Sequence, residues 1–169
     1  MIKQLYLDLQ NIFKAVVDDQ GNQIFKHFDL WNQNVEFIQE DSPFEFPALF
    51  VEFVPFQWQT LMNRAQQAEI VIRLHVVTNW LAQTAEYSPV QTEMLEYLDL
   101  PDKLYDAIQS HNSSASNGLM RTNSIINHNH GPVLDSIEEY KTLIVYRPAA
   151  EAQTLVSNVI PVITNQLPT

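Results

Sequence analysis

The sequence contains no cysteine, only three glycines and only nine basic side chains in 169 residues. Without cysteine there can be no disulfide framework, thiolate zinc site, thiol nucleophile or iron–sulfur cluster. Gly21, Gly118 and Gly131 stand far apart, so no glycine-rich β–α turn is available to cradle a nucleotide phosphate. Nine Lys and Arg against 20 Asp and Glu leave a net charge of −11 at neutral pH. That balance argues against tight binding to nucleic acid, whose affinity comes mostly from cations neutralising phosphates, and against docking on an anionic membrane. No apolar run approaches the ~18 residues of a membrane span. Residues 1–4 run directly into a helical pattern containing Asp8, with no apolar signal core. This predicts a protein made in, and staying in, a cytoplasm.

What is present narrows the class further. The length suits one domain with a real hydrophobic core. Charged residues are 17%, below the usual ~25%, and the missing polarity is supplied by 15 Gln and 13 Asn. Such a surface hydrogen-bonds well but repels little, which suits a protein surrounded by neighbours. The 18 aromatic residues argue against wholesale disorder.

Periodicity assigns the elements. Ile2, Leu5, Tyr6, Leu9, Ile12, Phe13, Val16 and Val17 follow i, i+3, i+4, i+7 spacing, predicting an amphipathic helix over 2–17 that Gly21 helps to end. Short extended segments are expected at 24–28 and around Val35 and Phe37, and a two-proline loop at 40–47. A strand over 48–54 places Leu49, Val51 and Phe53 on one face and Phe50, Glu52 and Val54 on the other. A longer strand over 68–80 alternates Ile70, Ile72, Leu74 and Val76 with Glu69, Val71, Arg73, His75 and Val77. Ser88-Pro89-Val90-Gln91 reads as a capped helix start, and Pro101 breaks or restarts the helix before Leu104, Tyr105 and Ile108. A strand is expected over 120–126, a turn over 127–132, and a final strand over 137–147. The reading is α+β, with an antiparallel sheet covered on one face by two helices.

Past Pro148 the character changes, so the chain divides into a domain over 1–148 and a C-terminal arm over 149–169. The arm carries one charge, Glu151, and the apolar residues Leu155, Val156, Val159, Ile160, Val162 and Ile163. It either folds back as a further element or docks on a neighbouring subunit.

No catalytic constellation stands out. His128 and His130, with Asp135 nearby, have a spacing found in metal sites, but such a site needs a third ligand and a buried surround. They lie beside Gly131-Pro132, where exposed histidines or a subunit contact are the plainer reading. There is no G-x-S-x-G elbow. The adjacent pairs Asp18-Asp19 and Glu138-Glu139 would face apart on a regular element. The expectation is a protein with no cofactor, no metal and no enzymatic activity. Charge, by contrast, is patterned. Asp29, Glu36, Glu40, Asp41, Glu45 and Glu52 fall in a stretch with no base, and so do Glu86, Glu93, Glu96, Asp99 and Asp102. These stretches are either two solvated acidic faces or a surface that must not stick to DNA, since a wall of like charge lets a polyanion pass without binding.

The order of elements resembles the tail terminator, or tail completion, proteins of long-tailed bacteriophages. The corresponding text is Ile2–Val17, Phe46-Pro47-Ala48-Leu49-Phe50-Val51, Ala68–Val77, the Leu98–Ile108 helix and Tyr140–Tyr146. The segment from Met120-Arg121-Thr122 to His128-Asn129-His130 is similar to short proteins encoded among head–tail genes of Bacteroides-type phages. The likeness is one of pattern and spans 1–148. It implies a structural virion protein, assembled in the host cytoplasm. Such a protein forms a homo-oligomeric ring, usually a hexamer, on the head-proximal end of the tail tube. The ring ends tube polymerisation, meets tail-tube and neck proteins, touches no membrane, and lets DNA pass unbound. On that reading Glu36, Glu40, Asp41 and Glu45 are candidate lumen residues, and the apolar arm residues are candidate subunit contacts. The alternatives are another head–tail connector, stopper or neck component, a metal-dependent hydrolase using His128 and His130, and a non-enzymatic adaptor.

Overall fold

A computed structural model describes residues 1–35, 44–79, 85–110, 118–130 and 133–147. The first helix, α1 (Ile2–Lys14), buries Leu5, Leu9, Ile12 and Phe13 along one stripe, as the 3.6-residue period requires. The chain then turns at Asp18, whose carboxylate accepts the backbone N–H groups of Gln20 and Asn22 at 2.9 and 2.8 Å. Gly21 takes φ +83° in this turn, a conformation that a residue with a Cβ resists.

Among the described residues six strands form one sheet: β1 (His27–Leu30), β2 (Ala48–Phe53), the short β3 (Gln59–Thr60), β4 (Gln66–Asn79), β5 (Met120–His130) and β6 (Val133–Tyr146). The order across the sheet is β1-β2-β4-β6-β5, with β3 pairing on β4. The expected all-antiparallel sheet is corrected to a mixed one, because β1 and β2 run parallel. Parallel neighbours need a long crossover rather than a hairpin, and the connection from Trp31 to Pro47 supplies it. The first strand also sits later than the pattern suggested. It begins at His27, while Gln23 makes an isolated bridge to Val17.

Between β4 and β5 the chain forms a short helix, α2 (Gln91–Leu95), a 3-10 turn over Glu96–Asp99, and α3 (Leu100–Gln109). Pro101 sits in the first turn of α3 and so restarts the helix, since a proline there forfeits no intrahelical hydrogen bond. Ser88 holds the backbone N–H of Val90 at 3.4 Å, and α2 proper begins only at Gln91. The expected turn at 127–132 is also corrected. β5 continues through His130, with Asn127 opposite Asp135 and His130 opposite Val133. Its polar side chains do not forbid an edge strand, because the backbone ladder to β6 holds it.

One buried cluster joins Leu5, Leu9, Ile12 and Phe13 of α1 to Leu100, Leu104 and Ile108 of α3. The same cluster takes in Leu49 and Val51 of β2, Ile70, Ile72, Leu74 and Val76 of β4, and Tyr140 and Ile144 of β6. The alternate strand positions serve a second, smaller cluster of Val35, Ala48, Phe50, Val77 and Val133, with Trp31, Phe44 and Phe46 packed against it. The fold is therefore α+β, and the two alternating faces of β2 and β4 are both used.

Candidate interaction surface

The alternation of β4 that buries Ile72, Leu74 and Val76 turns Arg73, His75 and Val77 to the opposite side. Pairing register brings Glu52 of β2 and Glu139 of β6 to either side of Arg73. Arg73 donates from Nε to Glu139 Oε1 at 2.7 Å and from a terminal nitrogen to Glu52 Oε2 at 3.3 Å. Asn123 of β5 donates to the other oxygen of Glu139 at 3.4 Å. A polar chain thus crosses four strands, from β2 through β4 and β6 to the edge strand β5.

His75 joins the same chain from a buried position. Its Nδ1 donates to Asp135 Oδ2 at 3.0 Å, and both side chains are almost wholly enclosed. Its Nε2 lies 3.5 Å from Glu52 Oε2 and makes no hydrogen bond among the described residues. Trp31 lies flat on the imidazole, with centroids 3.7 Å apart and planes 3° from parallel. Trp31 also meets Phe50 edge-on, Phe50 meets Phe44, and Phe44 stacks on His27. An aromatic layer from the β1–β2 crossover therefore closes this end of the sheet.

The arrangement is not that of a nucleophilic site. A histidine base needs a hydroxyl or thiol at the nitrogen opposite its carboxylate, and here that nitrogen faces a second carboxylate. It fits a structural role, in which one imidazole ties β4 and β6 to the crossover through Trp31.

Glu139 makes the acid side of this network testable. The hydrogen bond from Arg73 holds its carboxyl below the ordinary value of 4.5. A carboxyl depressed on folding adds stability that is present above its unfolded value and is lost as pH falls through its folded value. The melting temperature is expected to drop as pH goes below 4.5, and Arg73→Met to remove the part of that slope due to Glu139. Identical slopes for the two proteins would rule the pair out as a contributor.

A second polar node lies at β5. Glu138 is buried and accepts from the Ser124 hydroxyl at 2.7 Å and from Arg121 at 3.5 Å. Arg121 continues to Asp102 of α3 at 3.1 Å and rests over the ring of Tyr105 at 4.3 Å. This ties the edge strand to α3.

A cavity of about 300 Å³ opens at the far end of β4. Ile24, Phe46, Pro47, Tyr97 and Leu100 line it with apolar surface, and Thr78, Asn79, Glu96, Lys103 and Asp18 add polar groups. Thr78 is buried, and its hydroxyl finds no hydrogen-bond partner among the described residues.

The structure places the sequence-derived candidates unevenly. Glu45 is exposed, between the half-buried Phe44 and Phe46. Glu36, Glu40 and Asp41 lie outside the described residues, as do Leu155, Val156, Val159, Ile160, Val162 and Ile163 of the arm. The side chains of His128 and His130 are likewise outside them. Asp135, considered as their third ligand, instead holds His75 on the neighbouring strand. Among the described residues no three His, Asp or Glu side chains converge as a metal site. The His75–Asp135 pair was missed because the two are sixty residues apart. The available signal was a histidine on the strand face that turns from charged to apolar along β4.

Compared with known proteins, the chain matches no family model and no curated sequence.

Proposed function

We propose that this chain is a non-enzymatic structural subunit of a phage virion, forming a ring at the head-proximal end of the tail that stops tube growth and meets the neck. The observation that carries the reading is the succession of elements. An amphipathic α1 is followed by a Phe46-Pro47-Ala48 entry into β2, the long β4, an α3 opened by Leu98-Asp99-Leu100-Pro101-Asp102, and a closing β5–β6 hairpin. This is the order in the tail terminator proteins that the sequence resembles.

The charge pattern supports the same role. Asp29, Glu45, Glu86, Asp99 and Asp102 are all exposed, and a ring multiplies the −11 of each copy. Like charges placed across a subunit contact would oppose assembly, so these carboxylates belong on the lumen or on solvent. A lumen lined in this way repels DNA and lets it slide. Glu36, Glu40, Asp41 and Glu45 are the proposed lumen residues, and the partners are further copies of the chain, the tail tube and the neck.

Negative-stain imaging and light scattering of the purified full chain test the proposal. Closed rings with a central hole are expected, and deletion of the gene is expected to leave normal heads beside tails of uncontrolled length. Tails of normal length that fail to join heads would move the protein to a stopper or connector role. A chain that stays monomeric and is absent from purified particles would end the proposal.

A further inference from the structure

We propose that the cavity at the end of β4 receives the Leu155–Val159 segment of a second copy of this chain. The inference rests on self-association, as the proposed ring does, but not on the phage context.

Three observations converge on this occupant. The first is reach. β4 and β6 pair from Asn79 opposite Val133 to Gln66 opposite Tyr146, so the arm leaves β6 at the end of the sheet remote from the cavity. Those thirteen pairing steps span about 44 Å at ~3.4 Å per residue. Leu155 lies nine residues past Tyr146 and reaches at most about 31 Å when fully extended. Val159 could attain the cavity of its own chain only along a dead-straight path. A seated Leu155–Val159 therefore has to come from another molecule.

The second observation is chemical match. Phe46, Pro47, Tyr97 and Leu100 give the cavity apolar walls, and Leu155, Val156 and Val159 are uncharged aliphatic residues in an acidic protein. A mostly apolar pocket of about 300 Å³, with Asp18, Glu96 and Lys103 also in its lining, is at the small end of the ~300–1,000 Å³ range of binding cavities. That size suits a few side chains rather than a folded element.

The third is the Thr78 hydroxyl. It is enclosed, lines the cavity and lacks a hydrogen-bond partner among the described residues. Buried hydroxyls are normally satisfied. An incoming strand carrying backbone amides, with Ser157 and Asn158 between its aliphatic residues, supplies partners for Thr78 and for Asn79 beside it. The cavity then provides what an apolar arm needs, which is a polar anchor within greasy walls.

The absence of cysteine makes the test clean. Two full-length variants, Lys103→Cys at the cavity and Ser157→Cys in the arm, are mixed and mildly oxidised. Disulfide-linked dimers of unlike chains are expected at least tenfold above the yield from Ser157→Cys mixed with Lys3→Cys, which places the thiol on the first turn of α1. Thr78→Val, added to the Lys103→Cys chain, is expected to reduce the yield severalfold without lowering the melting temperature.

Several outcomes would overturn the proposal. One is equal yields at the cavity and at α1. Another is an unchanged yield with Thr78→Val. A third is closure, within one chain at dilution, of a protein carrying both Lys103→Cys and Ser157→Cys when the mixed single variants do not link. Light scattering on the same samples separates the two readings. Rings that form without the cross-link sink the cavity assignment alone, whereas a chain that never associates sinks both.

Discussion

Leu9→Asp is expected to abolish the cooperative thermal transition of this protein. Leu9 is about 1% exposed in the α1 stripe and belongs to the cluster that includes Leu104, Ile72 and Tyr140. Placing a carboxylate there without a partner costs several kcal/mol or more, against a total stability of about 5–15 kcal/mol for an ordinary domain. Leu9→Ala is the graded companion. It should cost about 2–5 kcal/mol through lost burial and an unfilled cavity, lowering the melting temperature by roughly 4–20 °C for a chain of this size. Circular dichroism melts of both variants decide the matter. A Leu9→Asp protein that melts normally would show that α1 does not form the core.

Asp135→Ala is the second large effect. It strips the partner from an enclosed His75 and leaves the ring between Trp31 and the Glu52 carboxylate. Removing the acceptor leaves the buried imidazole N–H unsatisfied, at a cost of about 1–3 kcal/mol, or roughly 2–12 °C in melting temperature. His75→Phe keeps a flat ring under Trp31 and removes the need for a carboxylate partner. The double variant His75→Phe/Asp135→Ala should therefore lose less than the two single losses added together, since the donor and this acceptor leave together. Denaturant melts of the four proteins give the coupling directly. Strict additivity would mean that the 3.0 Å contact carries no energy of its own.

These residues also show which parts of the molecule could be read in advance. α1 was legible because its buried positions recur every three to four residues, and β4 because its apolar residues alternate without interruption. Pro101 announced the restart of α3 through its fixed φ and missing N–H. The parallel setting of β1 was not legible, since strand direction depends on the path of the crossover and not on local side chains. Asn127 and His130 looked like turn residues because local propensity favours that, but pairing with Asp135 and Val133 overrides it at a sheet edge. The polar chain through Arg73 and His75 was half legible. Alternation put both on one face, but their partners Glu52, Asp135 and Glu139 come from distant segments that only the fold assembles.

The central position of β4 has a consequence for how the chain reaches this structure. Residues 72–77 pair on one side with β2, a short distance upstream, while all fourteen residues pair on the other with β6, whose residues lie between 54 and 80 positions later. During synthesis, Ile70, Ile72 and Leu74 emerge long before the strand that flanks them. The nascent chain must therefore hold an incomplete, half-paired sheet until its last described strand is made. Contacts of such long sequence separation slow folding and leave an unpaired strand edge open to wrong partners in the meantime. Refolding from denaturant is accordingly expected to succeed at low protein concentration and to lose yield to aggregation as concentration rises.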